Sequence, residues 1–260
     1  MATADSGIAG KTGRLARRCT HHRCYYRTAG PKEGVHVPFS CPVELEPVDI
    51  ILPASNTTAT GRDIRQREVF AVAGSNAEGK TSFLEDIIAG MDDHAAGGGR
   101  ERVVTIRVMR TAETMTMNCE LAAGADVSTF FRALPPGIGG TVSSASGMGS
   151  GSMTMAHQIG SAIRQRAPLL IIDEERAAPN LLVASCLQNE EVTPLAAILA
   201  RDRIRMSDTT LVFAACAMDT LAAQADRIMV LDRHVAGAID RAGFRRQLVA
   251  SLHRMADDLS

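Results

Sequence analysis

Short apolar runs alternate along this chain with stretches that have helical spacing. Unbroken apolar runs are typical of strands buried on both faces of a sheet, and a repeat of three to four residues indicates amphipathic helices. The predicted buried strands are residues 68–73, 168–172, 211–214 and 228–231. The predicted helices between them are residues 82–91, 195–206 and 219–225. This alternation predicts an α/β fold with a mostly parallel sheet that is flanked by helices.

A small antiparallel β subdomain is expected ahead of the first buried strand. Residues 43–45 and 48–52 alternate apolar with polar positions, and Pro47 between them suits a sheet edge or a bulge. Residues 102–109 are rich in β-branched side chains and predict a further strand. A short helix is expected at residues 126–134, because Asp126 or Ser128 could cap its start and two prolines follow its end.

Residues 137–152 consist almost entirely of glycine, serine and other small side chains. Such a segment buries little apolar area, so we expect a mobile linker or a loop that folds around a ligand. It leads directly into a helix, since Met155, Ile159 and Ile163 recur at helical spacing. The start of that helix could face an anion. A last amphipathic helix is expected near the C-terminus, with apolar positions from Phe244 to Leu259.

Composition adds little about partners, except at the N-terminus. The 260 residues carry a formal net charge of −1, and no apolar run approaches the ~18 residues of a membrane span. Residues 1–35 hold seven Lys or Arg against two acids. This segment could bind RNA, direct the protein to mitochondria, or form a solvated loop. The six scattered cysteines favour free thiols inside the cell, most simply in the cytoplasm.

The strongest chemical signal follows the first buried strand. Residues 74–81 fit the Walker A pattern G-x-x-x-x-G-K-[ST] at every fixed position, and a strand precedes and a helix follows them. Glycines allow the backbone to wrap around phosphate, Lys80 could reach the terminal phosphates, and the Thr81 hydroxyl could bind Mg²⁺. The predicted nucleotide-binding residues here are Gly74, Ser75, Asn76, Ala77, Glu78, Gly79, Lys80, Thr81 and Ser82.

Two carboxylates follow a second apolar strand, as in a Walker B motif. Asp173 at the strand end is predicted to hold Mg²⁺, and Glu174 to polarise the attacking water, so that Glu174 and Lys80 are the candidate catalytic residues. A small-molecule kinase could use the same phosphate loop. The paired acids at a strand end favour hydrolysis instead.

From about Val37 to Asp232 the chain resembles the predicted ATPases of the ABC class, found widely in bacteria and in some eukaryotic lineages. The resemblance runs through an ordered series of motifs rather than through one. Those motifs are Pro38-Phe39-Ser40-Cys41-Pro42, the phosphate loop, Gly98-Gly99-Arg100-Glu101, Asp126-Val127-Ser128, Leu134-Pro135, Ser150-Gly151-Ser152, Ile172-Asp173-Glu174, Asn180, Thr193-Pro194 and Ala225-Asp226.

This resemblance implies a homodimer that encloses ATP and Mg²⁺. Ser150, Gly151 and Ser152 are similar to the signature that ABC ATPases present to the nucleotide of the other subunit. The resemblance implies an ABC-class ATPase domain at residues 37–235, while local charge indicates a basic, partly irregular segment at 1–36 and helical spacing a C-terminal amphipathic helix at 236–260.

The chain departs from the family pattern at three places, one of which is Glu78 in the phosphate loop, where members usually have histidine. It has Glu175-Arg176-Ala177 where members have Asp-Thr-Ser, and residues 214–217 replace a glycine- and serine-rich switch. ATP binding is therefore expected, with slow hydrolysis. The alternative is a nucleotide-binding scaffold or RNA-associated protein with little or no turnover.

Overall fold

The structure is a computed structural model that describes residues 14–19, 39–52, 56–92, 103–105, 109–113, 120–187 and 191–260. Its strands are β1 (Arg14–Cys19), β2 (Val48–Leu52), β3 (Thr57–Arg65), β4 (Val69–Ala73), β5 (Val103–Thr105), β6 (Met109–Ala112), β7 (Glu120–Ala125), β8 (Gly139–Thr141), β9 (Ser144–Met148), β10 (Leu169–Ile172), β11 (Thr210–Ala215), β12 (Arg227–Asp232) and β13 (Val235–Ile239). Its α-helices are α1 (Lys80–Ala89), α2 (Gly151–Arg164), α3 (Pro179–Leu182), α4 (Leu195–Arg201), α5 (Asp219–Ala222) and α6 (Arg241–Asp258). Short 3₁₀ helices lie at Val43–Leu45, Glu174–Arg176 and Arg203–Met206.

The central sheet has the strand order β13-β12-β4-β11-β10-β6. The five strands from β12 to β6 run parallel to one another. The edge strand β13 pairs antiparallel with β12. The predicted α/β class with a mostly parallel sheet is therefore confirmed. The sequence analysis did not anticipate β13, whose residues follow the turn at Arg233 and His234.

Helices cover the central sheet on both faces. Successive side chains of β4 point to opposite sides, so Phe70 and Val72 pack with α1, whereas Val69 and Ala71 pack in the cluster that contains α2 to α5. Burial on both faces explains why these strands are uninterrupted apolar runs in the sequence.

A separate antiparallel sheet has the order β2-β3-β1-β5, which agrees with the expected antiparallel subdomain. The prediction of a strand at residues 43–45 is wrong, because Val43–Leu45 is a 3₁₀ helix. The chain leaves that turn at Glu46 with a φ of 55°, and the Leu45 carbonyl accepts hydrogen bonds from the buried Arg62 and the partly buried Arg227. These hydrogen bonds stabilise the turn, and residues 43–45 do not pair as a strand.

The glycine-rich segment is not a linker. Within residues 137–152, β8 and β9 form a hairpin, and β9 pairs with the distant strand β7. Gly140 and Gly147 have φ of 93° and 113°, which a side chain would disfavour. Ala145 is the fully buried position of β9. Main-chain hydrogen bonds to β7 thus order a segment that has almost no apolar side chains.

The expected helix at residues 126–134 is absent from this described segment. The Asp126 carboxylate accepts hydrogen bonds from Ser128 N (2.9 Å) and Ser128 Oγ (2.6 Å), which closes a local turn. Phe131 then forms an antiparallel bridge with Val192. Pairing with the segment before α4 therefore competes successfully with continuation of a helix.

Two other predicted elements divide in the structure. The strand expected at 102–109 becomes β5 in the antiparallel sheet and β6 in the central sheet. The helix expected at 195–206 is α4 followed by the 3₁₀ helix Arg203–Met206. No helix among the described residues combines the length and apolar character needed to cross a membrane.

Both ends of the predicted domain differ in detail from the expectation. β1 lies inside the basic N-terminal segment and pairs with β3 and β5, so that part of the segment belongs to the antiparallel sheet. The C-terminal helix begins at Arg241, and residues 236–239 belong to β13. The rest of the basic segment, including Lys11, Arg23, Arg27 and Lys32, lies outside the described residues.

Candidate nucleotide-binding site

Three strands end side by side at one edge of the central sheet. β11 lies between β4 and β10, and all three run parallel. The phosphate loop follows β4, Asp173 and Glu174 follow β10, and Cys216 follows β11. Parallel order therefore brings together two motifs that are far apart in the sequence, at the carboxyl edge where ligands bind in open α/β sheets.

The phosphate loop has the backbone of a tight cradle. Gly74 and Gly79 have φ of 140° and 97°, and Ala77 also lies in the left-handed region, with φ of 65°. A Cβ at Gly74 would lie 2.5 Å from the Leu231 carbonyl oxygen, so a side chain does not fit there. α1 begins at Lys80 without a side-chain cap, which leaves N–H groups of its first turn available for an anion.

Lys80 lies folded over this loop. Its Nζ donates to Gly74 O (2.8 Å) and to Ser75 O (2.7 Å), and the residue is only 7% exposed. In the part of the chain that the structure describes, Lys80 forms no ion pair with a carboxylate. A buried ammonium with neutral acceptors suits an anionic ligand, because a phosphate would supply the missing negative charge.

The predicted metal ligands are a hydroxyl and a carboxylate, which are groups that Mg²⁺ accepts. Thr81 lies in the first turn of α1 and is partly buried. Asp173 is also partly buried, and its Oδ1 accepts a hydrogen bond from Glu175 N (3.3 Å). Among the described residues, no group of three His, Cys, Asp or Glu could hold a metal ion alone. Thr81 and Asp173 would thus hold Mg²⁺ together with phosphate oxygens.

Glu174 is bound to the end of β11. Its Oε1 accepts a hydrogen bond from Ala217 N (3.2 Å), and its Oε2 accepts one from Cys216 N. The Cys216 thiol in turn donates to Asn76 Oδ1 in the phosphate loop (3.2 Å). Cys216, directly after β11, therefore contacts both the candidate base Glu174 and the phosphate loop.

Glu78 has a structural contact within the loop. His234 N donates to Glu78 Oε2 (3.1 Å), and His234 Nδ1 lies 3.1 Å from Glu78 O. These bonds fasten the phosphate loop to the turn between β12 and β13. The Glu78 carboxylate is thereby bound by the main chain of His234, and this contact helps to fix the shape of the loop.

Ser150, Gly151 and Ser152 lie elsewhere, at the start of α2. Ser150 caps the helix, because its Oγ accepts a hydrogen bond from Met153 N (3.4 Å). Ser152 Oγ donates to Asn180 Oδ1 (2.8 Å). Within the described residues, no hydrogen bond joins these three residues to the phosphate loop. Among the described residues, the two predicted parts of the nucleotide site are thus not joined by a hydrogen bond within one chain.

The family model of the ABC_ATPase P-loop domain matches residues 8–257. This chain belongs to the ABC_ATPase family. The match contains the phosphate loop, the acidic pair and most of the basic segment. The predicted family and the P-loop α/β fold are thus confirmed.

One relative of this ABC_ATPase chain is the uncharacterized protein MJ1628 of Methanocaldococcus jannaschii. The two are 41% identical over 235 residues, which cover 90% of this chain and 51% of the relative. The chain thus spans about half the length of the curated relative it matches. A bacterial Atm1-family ABC exporter with ATP bound aligns with a TM-score of 0.51 at 14% identity, over 96% of this chain and 42% of the exporter. That likeness shows a shared fold.

Sequence reasoning did not identify Cys216 and Ala217 as part of this ABC_ATPase site. Residues 214–217 stand where the family pattern has a glycine- and serine-rich switch, and none of their side chains can form a strong hydrogen bond with the γ-phosphate. The structure uses their main-chain N–H groups instead, and every sequence carries such groups. The signal that could have identified them is their position, because they follow β11, the strand beside β10, and Glu174 follows β10.

Proposed function

We propose that this protein binds ATP with Mg²⁺ and hydrolyses it slowly, as a dimer that holds nucleotide between two subunits. The observation that carries the proposal is the position of β11 between β4 and β10, which puts Glu174 beside the Lys80 loop. Membership of a P-loop ATPase family supports the same activity.

Each predicted residue has a role that its position permits. Lys80 would exchange its two carbonyl acceptors for phosphate oxygens, which are charged and therefore stronger acceptors. Thr81 and Asp173 would hold Mg²⁺. When bound, Mg²⁺ neutralises charge on the phosphates. Glu174 would orient or deprotonate the attacking water.

The contacts of Glu174 explain why we propose slow turnover. Its two oxygens each accept one main-chain N–H group, so the carboxylate can receive a proton from water only in the orientation that these bonds fix. If the attacking water requires another orientation, breaking one such bond costs about 1.5 kcal/mol or more and slows the step by roughly tenfold. The same contacts favour the alternative function, a nucleotide-binding scaffold in which Glu174 remains bound and ATP is not turned over.

The separate position of α2 supports the dimer. Ser150 and Ser152 stand at a helix start, and among the described residues they form no hydrogen bond with the phosphate loop of their own chain. A second copy could bring its α2 to that loop, and a helix N-terminus is suited to the γ-phosphate. Nucleotide binding and dimerisation would then be coupled.

Phosphate release by purified protein tests the proposal, with size-exclusion chromatography in ATP and Mg²⁺. We expect wild type to release phosphate, Lys80→Ala to lose ATP binding, and Glu174→Gln to retain ATP and accumulate as a dimer. Glu175→Gln is the matched control, because Glu175 is an exposed acid on the same 3₁₀ helix. Wild-type phosphate release no greater than that of Lys80→Ala would refute hydrolysis, and retained ATP binding would then favour the scaffold. A monomeric Glu174→Gln protein saturated with ATP would refute the dimer.

A further inference from the structure

Ser152 and Asn180 form a side-chain pair at the mouth of a cavity. Ser152 Oγ donates to Asn180 Oδ1 across 2.8 Å, although the residues are 28 positions apart. Together with Ser150 they line a cavity of about 220 Å³, whose other walls include Phe131 and Pro135. The hydroxyl and the amide therefore face space at the start of α2 that a phosphate group could enter.

Asn180 is held in place by the segment on which it lies. Leu181 and Leu182, its neighbours on α3, are 0% and 1% exposed. Two residues before it, Ala178 N donates to Met155 Sδ on α2 (3.3 Å). The chain that leaves Glu174 is thus attached to the first turns of α2 at two points, through Ala178 and through Asn180.

The direction of the hydrogen bond decides what Ser152 can do. A serine hydroxyl has one proton, and while Asn180 Oδ1 accepts it, Ser152 cannot donate it to a phosphate. An amide that turns by 180° presents Nδ2 instead, and Nδ2 donates to Ser152 Oγ. The Ser152 proton is then available to a phosphate.

We propose that Asn180 is a positioning residue that turns its amide and directs the Ser152 hydroxyl toward the γ-phosphate of the nucleotide on the partner subunit. This inference rests on the proposed nucleotide-bound dimer. It assigns to Asn180 a role in dimerisation and not in the affinity of a single subunit for ATP. The amide is suited to the role because it is uncharged and offers both a donor and an acceptor.

Substitution at Asn180 separates this role from simple packing. Asn180→Asp has nearly the same shape but can only accept when ionised, so it would keep the Ser152 proton and place a negative charge near the phosphate. Asn180→Ala removes the amide without adding charge. We therefore expect Asn180→Ala to raise the ATP concentration for half-maximal dimerisation by about tenfold, and Asn180→Asp to raise it further.

The measurement is sedimentation velocity over a range of ATP concentrations, in the Glu174→Gln background to limit turnover. Ser152→Ala and the Ser152→Ala/Asn180→Ala double variant complete a double-mutant cycle. If Asn180 acts through Ser152, the double variant needs no more ATP for half-maximal dimerisation than Ser152→Ala alone. The matched control is the hydroxyl–amide pair Ser161 and Gln165 on the same helix, which are 3.1 Å apart, and alanine there should leave dimerisation unchanged.

Two results would overturn the inference, namely additive effects of Ser152→Ala and Asn180→Ala, or an Asn180→Asp protein that dimerises as well as Asn180→Ala. Titration of dilute monomer with a fluorescent ATP analogue distinguishes the levels of failure. Tight binding of the analogue with no dimer in the Glu174→Gln parent would overturn the dimer and this inference together while retaining ATP binding. Dimerisation of the parent with additive single effects would overturn only the role of Asn180.

Discussion

The carboxylate of Glu68 balances two arginines, the buried Arg62 and the partly buried Arg227, directly before β4, the strand that leads to the phosphate loop. Glu68 accepts hydrogen bonds from Arg62 Nη2 (3.2 Å) and from Arg227 Nη2 (2.7 Å). Arg62 is 1% exposed and Glu68 is 5% exposed, and Asp63 is the second acid of the cluster. Burial lowers the pKa of Arg62 to about 10, although Glu68 acts in the opposite direction.

Replacing Glu68 with Gln retains the size of the side chain and removes its charge. The two guanidinium groups then share one buried acid, Asp63, and among the described residues Arg227 otherwise pairs only with the exposed Glu46 at 3.9 Å, so the positive charge is poorly compensated. Removing one partner of a buried ion pair costs about 3–5 kcal/mol. Because Arg227 remains 12% exposed, we expect the lower end, about 3 kcal/mol in the free energy of unfolding. For a chain of this size, that corresponds to a fall in Tm of about 6–12 °C.

Urea denaturation followed by circular dichroism measures this difference, with an unchanged m-value expected because the folded state is the same. Asp202→Asn is the control. It removes the acid from a pair with Arg205 at 2.7 Å in which both side chains are about half exposed, and such pairs contribute below about 1 kcal/mol. A loss for Glu68→Gln no larger than that for Asp202→Asn would refute the argument that burial makes this cluster important.

Two further predictions concern pH and backbone shape. Burial raises the pKa of Asp226, but hydrogen bonds from Arg203 and from Val69 N lower it by more, so the net pKa lies below its ordinary value. The stabilisation is therefore present above the unfolded pKa of about 3.9 and is lost as pH falls toward the folded value. Asp226→Asn should be less stable at neutral pH, with a difference that shrinks below about pH 4 in urea titrations; a constant difference would contradict this. Gly74→Ala should lose about 1–3 kcal/mol of stability and bind ATP more weakly, whereas Gly137→Ala, with a φ of 88° and open space around it, should retain affinity; equal ATP affinity in both variants would contradict it.

The sequence alone predicted that the two nucleotide motifs lie at the ends of sheet strands. Lys80 and Asp173 belong to motifs at the ends of apolar strands, and the alternation of those strands with helices requires parallel pairing with both ends at one edge. The family and the α/β class were predicted correctly for the same reason. Such features are local in the sequence, because each rests on a run of fewer than about ten residues.

Tertiary structure decided the features that depend on contacts between distant segments. The hairpin of β8 and β9 is ordered by main-chain pairing with β7. Because this pairing does not depend on apolar side chains, residues 137–152 have no apolar pattern that would predict strands. Glu174 is bound by the N–H groups of residues 216 and 217, which have no sequence signature. The pair of Ser152 and Asn180 depends on where α3 meets α2. Backbone hydrogen bonds and long-range packing are properties of the folded chain, and local residue patterns do not encode them.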